Sequence, residues 1–118
     1  MKVIKTKGAV YRLSINQGSF EVMLAAIHKL SVKTQRFETL ASVITAGAKN
    51  LSENLSSIVA DLDALKHLDG EIKVFVRLTS ERHKEFEEVR ALLSKAGGRH
   101  FGVRDAIMVC TLLISTRK

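Results

Sequence analysis

Residues 72–79, with the sequence IKVFVRLT, alternate between apolar and other side chains along their whole length. Successive side chains of a β-strand point to opposite faces, so the alternation predicts a strand that covers a hydrophobic core with one face. That face would carry Ile72, Val74, Val76 and Leu78. The other face would carry Lys73, Phe75, Arg77 and Thr79, which include two cations and a large aromatic ring. Because such a face does not suit a core, it is the first candidate for a binding surface.

A partner for this strand is predicted near the start of the chain. A single strand leaves its backbone amides and carbonyls unpaired and is not stable alone. The segment VYRLS at 10–14 resembles FVRLT at 75–79, because both hold an Arg-Leu-hydroxyl core within an alternating pattern. We therefore expect the two segments to pair as an antiparallel two-stranded ribbon. Its free face would carry Val10, Arg12 and Ser14 beside the outer residues of the other strand.

The similarity between the two halves continues beyond the strands. RFETLASVITAG at 36–47 is similar to HFGVRDAIMVCT at 100–111 in the placing of its Phe, which aligns Phe37 with Phe101. Between the strands and these segments, both halves have apolar residues at the three- and four-residue spacing of a helix. The sequence thus predicts a mainly α-helical fold with a two-stranded antiparallel β-ribbon, in which strand, helix and helix occur twice. The predicted organisation is a single domain over residues 1–118, made of a first unit at 8–51, a helical connector at 52–70 and a second unit at 71–116.

The segment that joins the halves has an apolar stripe of its own. Apolar residues recur at steps of three and four from Leu40 to Leu68, which predicts a long amphipathic helix that ends before Asp69 and Gly70. A break near KNLSEN, residues 49–54, stays open. Such a stripe more often packs within its own chain, and the alternative is a coiled-coil or docking surface for another protein.

The composition favours a binding protein over an enzyme. Nineteen Lys and Arg against twelve Asp and Glu give a net charge of +7, which indicates an anionic partner. The single cysteine excludes an internal disulfide, and the four histidines are too far apart for a helical metal pair. We find no spacing typical of a catalytic, cofactor or metal site, and we predict none. The lack of an apolar run of about 18 residues and of a signal peptide predicts a cytoplasmic location without membrane contact.

The strand KVFVRLT, the helix SERHKEFEEVRALLSKAG and the helix FGVRDAIMVCTLL together resemble the ribbon-helix-helix family of DNA-binding proteins, which includes the Arc and MetJ repressors. Most members of that family are homodimers with one ribbon strand from each chain. The tandem arrangement of this chain resembles the single-chain forms known among relaxosome accessory proteins of conjugative plasmids. The resemblance implies a tandem ribbon-helix-helix pseudo-dimer that binds double-stranded DNA as a transcriptional regulator or relaxosome accessory factor. It also implies a monomer that multimerises on DNA beside other proteins of a DNA-bound complex.

In this family alternate residues of the ribbon contact base edges in the major groove, which admits a two-stranded ribbon. The resemblance assigns this role to Lys73, Phe75 and Arg77 in one strand and to Gly8, Val10 and Arg12 in the other. Arg77 is the leading candidate, since a guanidinium donates two hydrogen bonds to a guanine edge. Phe75 departs from the family's usual polar residue, and it fits either a thymine methyl group or a protein partner. Because Gly8 and Val10 are poor hydrogen-bonding residues, a symmetric palindromic site is not expected.

The family also holds the DNA backbone with amides at the start of its second helix, where the helix dipole favours a phosphate. The resemblance places these contacts at Gly98, Arg99 and His100 in the second half, and at Thr34, Gln35 and Arg36 in the first. Arg99 and Arg36 add cationic side chains to the amides. The family's Gly-x-Ser/Thr-x-Ser entry is absent from both halves, since GGRHFG at 97–102 keeps only the glycine.

Two further hypotheses compete with DNA binding through the ribbon. In the first, Phe75, Val10 and the stripe from Leu51 to Leu68 form a docking surface for a protein, so loss of the stripe abolishes function and loss of Arg77 does not. In the second, charge alone binds nucleic acid or RNA without sequence preference. One Tyr, no Trp and five Phe supply few stacking platforms for single strands, which disfavours the second hypothesis.

Overall fold

The computed structural model describes residues 9–51, 55–65, 67–98 and 100–116, and its helices and strands lie within these ranges. This part of the chain forms one two-stranded antiparallel sheet and five helices. In chain order the elements are β1 (Ala9–Ile15), α1 (Gln17–Thr34), α2 (Leu40–Lys49), α3 (Leu55–Ala64), β2 (Ile72–Leu78), α4 (Ser80–Gly97) and α5 (Val103–Thr116). The predicted fold class, mainly helical with a two-stranded antiparallel ribbon, is therefore confirmed.

The two strands pair along their full lengths. The register places Arg12 opposite Phe75 at the centre of the ribbon. Because neighbours in a strand face opposite ways, alternation decides which side chains enter the core. The side chains that face the helices are Tyr11, Leu13, Ile15, Ile72, Val74, Val76 and Leu78. The predicted pairing of the two segments, and the predicted core face of residues 72–78, are confirmed.

Local signals set the ends of the two long helices. Asn16 precedes α1, and its side-chain oxygen accepts a hydrogen bond from the Ser19 amide at 2.8 Å, which caps the helix. Both long helices end at a residue in the left-handed conformation, Gln35 after α1 (φ 61°) and Gly98 after α4 (φ 68°). Each of these residues donates its amide to a serine carbonyl in the last turn of its helix. That hydrogen bond satisfies one of the carbonyls that a helix end leaves without a partner.

Gln35 and Gly98 provide a matched test of this helix ending. A residue with a Cβ is strained in the left-handed region by about 1 kcal/mol or more, whereas glycine is not. We expect Gln35→Gly to raise the free energy of unfolding by about 1 kcal/mol and Gly98→Ala to lower it by about as much. A Cβ on Gly98 would meet no other atom within 4 Å, so strain is the only cost there. Chemical denaturation measures both changes, and a loss of stability in Gln35→Gly would contradict the prediction.

The helix α5 lies at the centre of the core. It packs against α1, α2 and α3, and its residues from Ala106 to Ile114 are buried. The helix α2 approaches it closely at Gly47, where a Cβ would lie 2.7 Å from the Cα of Cys110. The apolar stripe joins the same core through Leu51, Ile58, Leu62 and Leu68. The interpretation that the stripe packs within its own chain is therefore confirmed, and these four residues cannot form a docking surface.

The helical part of the connector is shorter than predicted. The stripe predicts one long helix through Leu68, whereas α2 ends at Lys49 and α3 runs only from Leu55 to Ala64. The prediction of a helix through Leu68 is wrong. Leu68 is nevertheless buried, because the chain turns its side chain into the core without a helix. An apolar spacing of three or four residues fits a helix that continues to Leu68 and equally a helix that ends before it. The spacing therefore does not determine where the helix ends.

Two polar side chains fasten the connector to the end of β1. The backbone amide of Asn16 donates to the Leu68 carbonyl at 2.9 Å, and its side-chain Nδ2 donates to the His67 carbonyl at 2.8 Å. From α5, Arg104 donates to the Ser14 carbonyl at 3.1 Å and pairs with the Asp69 carboxylate at 2.6 Å. These contacts hold the start of β2 beside the end of β1, which supports the ribbon register.

The two halves of the chain carry their elements at one constant interval. The strands begin at Ala9 and Ile72, the long helices at Gln17 and Ser80, and the helices after them at Leu40 and Val103, and each pair is 63 residues apart. The sequence alignment of residues 10–14 with 75–79 pairs residues that are 65 apart, two more than this interval. A shift of two keeps every side chain on its own face of a strand, so an alternating pattern cannot detect it.

The same interval separates the links that follow the long helices. The Ser31 hydroxyl accepts a hydrogen bond from the Glu38 amide at 3.0 Å, and the Ser94 hydroxyl accepts one from the Phe101 amide at 3.1 Å. At this interval Phe101 is paired with Glu38, whereas the sequence alignment pairs it with Phe37. Their environments also differ, because Phe101 is buried and Phe37 is fully exposed.

Candidate nucleic-acid interface

The outer side of the ribbon is exposed and basic. Its six side chains are Val10, Arg12 and Ser14 from β1 and Lys73, Phe75 and Arg77 from β2, as the alternation predicts. We call this surface the ribbon face. Three of its residues are cations and none is acidic, and Phe75 remains 65% exposed. Thr79 lies beyond the strand as the residue that precedes α4, and the predicted contact Gly8 lies outside the described residues.

Each cross-strand pair on the ribbon face joins a cation to an uncharged residue. Lys73 lies opposite Ser14 and donates a hydrogen bond from Nζ to its Oγ at 2.8 Å. The guanidinium of Arg12 lies 5.9 Å from the centre of the Phe75 ring, a cation–π distance. Arg77 lies opposite Val10, and among the described side chains it has no ion pair or hydrogen bond. Its fork of N–H donors is therefore available to a ligand.

The ribbon rests on α4 through the only tyrosine of the chain. The Tyr11 ring packs 5.4 Å from the Phe86 ring, and the Tyr11 hydroxyl donates to Glu87 Oε2 at 3.3 Å. Arg90 binds both oxygens of the same carboxylate, at 3.0 and 2.9 Å. Burial, and after it the Glu87 carboxylate, raises the pKa of Tyr11 to about 12. The hydroxyl therefore stays protonated near neutral pH and keeps its hydrogen bond to the helix.

We expect the folded protein to release the Tyr11 proton at a higher pH than the unfolded chain. The folded pKa of about 12 exceeds the ordinary value of 10.0, so this contribution to stability is complete below pH 10 and is lost as pH rises towards 12. Ultraviolet absorbance of the tyrosinate measures the titration midpoint of Tyr11 without overlap from other residues, because the chain has one Tyr and no Trp. Since burial is the larger cause, Glu87→Gln should lower the midpoint only in part. A midpoint near 10 in the folded protein would contradict the prediction.

The residues predicted to begin the second helix of each half lie earlier in the structure. Thr34 is the last residue of α1, Gln35 follows it in the left-handed conformation, and Arg36 lies in the link to α2. In the other half, Gly98 directly follows α4 and His100 lies in the link to α5, while Arg99 lies outside the described residues. The placement of these residues at a helix start is wrong, because the next helices begin only at Leu40 and Val103. The backbone of Thr34, Gln35 and Gly98 lies at a helix end rich in carbonyls, where the dipole disfavours a phosphate beside these amides.

The true starts of the second helices already have side-chain partners. Thr39 precedes α2, and its hydroxyl accepts a hydrogen bond from the Ser42 amide at 3.2 Å. At the start of α5, Asp105 accepts one from the Gly102 amide at 3.4 Å and places a negative charge in the first turn. A phosphate at α5 would be repelled by that carboxylate. Phosphate contacts by helix-start amides, as the resemblance implied, therefore have little support in either half.

Other kinds of site find little support in the described part of the chain. Among the residues with described positions, no three His, Cys, Asp or Glu side chains form a group that could hold a metal ion. Cys110 is fully buried, and burial raises the pKa of its thiol to about 12, so it is not a thiolate nucleophile near neutral pH. No helix within the described ranges is both long and apolar enough to cross a membrane.

Comparisons with known proteins leave the partner of the ribbon face unidentified. No family model, curated protein or solved structure matches the chain. The partner must therefore be inferred from the residues of the ribbon face and their surroundings.

Sequence reasoning missed a second cluster of cations, which lies outside the ribbon face. Lys49 on α2 and Arg82 on α4 line one cleft together with Arg36. These three residues are far apart in the chain, so no local pattern joins them. The available signal was the spacing of Ser42, Thr45 and Lys49, which places polar side chains on one side of an otherwise apolar helix.

Proposed function

We propose that this protein binds double-stranded DNA by inserting the ribbon face into the major groove. The observation that carries the proposal is the composition of that face, with three cations and no acid on the exposed side of a two-stranded ribbon. A major groove about 12 Å wide admits such a ribbon and offers hydrogen-bond acceptors to Arg and Lys. The net charge of +7 favours the same partner. The proposed function is binding without catalysis or a cofactor, in the cytoplasm on nucleoid DNA.

The spacing of the ribbon cations suits contacts with base edges. Lys73 and Arg77 lie four residues apart on one face of β2, so about 13 Å separates their Cα atoms. Bases along one DNA strand are about 3.4 Å apart, so the two side chains would contact bases roughly four steps apart. The free guanidinium of Arg77 fits the O6 and N7 acceptors of guanine, and Phe75 between them fits a thymine methyl group.

We also infer the tandem ribbon-helix-helix pseudo-dimer that the sequence resembles. The constant interval of 63 residues between the elements of the two halves supports it. A two-fold axis through the ribbon requires a central pair of equivalent residues, and the central pair Arg12 and Phe75 is 63 residues apart. The packing supports it further, because α1 packs on α5 while α4 packs on α2. A transcriptional regulator or a relaxosome accessory factor are the roles that this resemblance suggests.

The inferred symmetry does not extend to the side chains of the ribbon face. Val10 is equivalent to Lys73, and Ser14 is equivalent to Arg77, and the two members of each equivalent pair lie at opposite ends of the ribbon. The strand β2 thus supplies the cation at both ends of the ribbon face, and β1 supplies only the central Arg12. We therefore expect an asymmetric DNA site in which β2 carries most of the specificity.

Fluorescence anisotropy of labelled duplex and single-stranded DNA across a salt series tests the proposal. We expect duplex binding that weakens steeply with salt, and a loss of about 1–3 kcal/mol of binding free energy in Arg77→Ala. Lys84→Ala is the control, because Lys84 is an exposed cation on α4 outside the ribbon face. If the wild type fails to bind duplex DNA at about 100 mM salt, the proposal is wrong.

A protein-docking function is the second candidate, favoured by exposed apolar side chains on α1 and its link. Leu24 and Val32 are about half exposed and Phe37 is fully exposed, in addition to Val10 and Phe75 on the ribbon face. The buried stripe residues can no longer contribute to this surface. Under this hypothesis Phe75→Ala would weaken binding to a protein partner while Arg77→Ala would leave it unchanged. Binding by charge alone would instead show equal affinity for duplexes of different sequence.

A further inference from the structure

A basic cleft lies between α2, the end of α1 and the start of α4. Its volume is about 530 Å³, within the range of small-ligand sites. Three cations line it, Arg36, Lys49 and Arg82, against a single acid, Glu38. Hydroxyl groups of α1 and α2 complete the polar part of its wall. The side chains that line the cleft therefore carry a net positive charge.

Arg36 is held in place by the one acid of the cleft. Its Nε donates to Glu38 Oε2 at 3.0 Å, and the Thr34 hydroxyl donates to the same oxygen at 2.7 Å. The hydrogen bond from Thr34, followed by that from Arg36, holds the pKa of Glu38 below its ordinary value, so the carboxylate stays charged near neutral pH. The contact occupies only Nε, and it leaves the two terminal nitrogens of the guanidinium for an anion.

Arg82 stands in the first turn of α4 without a counter-charge. It is half-buried, and no carboxylate of the described residues forms an ion pair with it. A cation partly removed from water without a partner is costly unless a ligand compensates it. Lys49 also lines a neighbouring cleft that contains Glu85 and Glu88. Arg36 and Arg82 line the basic cleft and not that neighbouring one.

Two of the three cations have no basic counterpart in the other half of the chain. The positions 63 residues away from Arg82 and Lys49 hold Ser19 and Leu112, whereas the position 63 residues away from Arg36 holds Arg99. The buried positions of the two halves stay apolar at the same interval, as Met23 and Phe86 or Leu30 and Leu93 show. The cations at positions 49 and 82 are therefore particular to one half of the chain, as expected of a binding site and not of a packing requirement.

We propose that the basic cleft binds a phosphate group through the guanidinium groups of Arg36 and Arg82. Guanidinium forks match the oxygens of a phosphate and form charge-assisted hydrogen bonds with them. The phosphate has two sources. Arg82 follows the ribbon residue Arg77 by five positions, so one source is a backbone phosphate of DNA bound at the ribbon face, which rests on the proposed function. The other source is a free phosphate-bearing molecule, and binding of such a molecule does not rest on the proposed function.

Two titrations of the full chain separate these sources. The first follows amide chemical shifts as inorganic phosphate or pyrophosphate is added at constant ionic strength. The second follows labelled duplex DNA by anisotropy across a salt series. Both compare the wild type with Arg82→Gln and with Lys84→Gln, which removes the same charge two residues away and outside the cleft. Arg36→Gln replaces Arg82→Gln if circular dichroism shows that the latter is unfolded.

We expect Arg82→Gln to weaken at least one titration by about tenfold or more, and Lys84→Gln to leave both within about twofold. Weaker duplex binding alone, with a salt slope smaller by about one, assigns the cleft to the DNA backbone. Weaker phosphate binding assigns it to a free ligand, and that result stands even if the wild type binds no duplex. If Arg77→Ala weakens duplex binding while Arg82→Gln changes neither titration, the cleft proposal is overturned and the ribbon proposal survives.

Discussion

Replacing Gly47 by valine is expected to cost more than about 3 kcal/mol of unfolding free energy, or to prevent folding. At this position a Cβ would lie 2.7 Å from the Cα of Cys110 and 2.8 Å from its carbonyl carbon. Backbone atoms cannot rotate away as the end of a side chain does, so α2 and α5 would have to separate. Since α5 is the centre of the core, the separation would open cavities along most of its length. Urea denaturation followed by circular dichroism measures the loss.

Alanine substitutions provide the control, because the same substitution should raise the free energy of unfolding at one helical glycine and lower it at another. In Gly18→Ala the new Cβ would meet only the Asn16 side-chain oxygen at 3.7 Å, an ordinary contact. Alanine favours a helix over glycine by up to about 1 kcal/mol, so Gly18→Ala should stabilise the protein. Gly47→Ala has the same propensity gain but should destabilise by about 1–3 kcal/mol through overpacking. Equal effects at the two sites would contradict the close approach of α2 and α5.

The fold class and the ribbon face follow from the sequence because a strand has a period of two residues. The alternation of residues 72–79 fixes which side chains face the core, and the structure places each of those at 72–78 as expected. Apolar spacing likewise placed Phe86, Val89 and Leu93 on the buried side of a helix. These are local properties, and a few kcal/mol of burial for each side chain is enough to decide them.

Register, helix ends and clefts could not be predicted in the same way. An alternating strand pairs equally well after a shift of two residues, so the pattern alone could not predict that Arg12 lies opposite Phe75. The left-handed residue Gln35 ends α1 without the glycine that marks such ends in a sequence. The basic cleft joins residues from three elements, and only the packing of α2 against α4 brings them together.

The largest effect of a single side-chain truncation is expected beneath the ribbon, in Phe86→Ala. Phe86 is fully buried, and its ring supports the Tyr11 ring at 5.4 Å. Removing it takes apolar surface from the core and leaves a cavity between α4 and β1, which costs about 3–5 kcal/mol. The loss should also loosen the ribbon face above it, so duplex binding should weaken in Phe86→Ala even where the protein stays folded. Denaturation and anisotropy of the same variant measure the two effects.

Phe37→Ala is the matched control, because it deletes the same atoms from a residue that is fully exposed. We expect it to change the free energy of unfolding by less than about 0.5 kcal/mol and to leave duplex binding unchanged. A large loss in Phe37→Ala would mean that this residue packs against something in solution, as the docking hypothesis requires. A small loss in Phe86→Ala would mean that the ribbon does not rest on α4. The pair therefore tests the support of the ribbon face and the docking surface in one experiment.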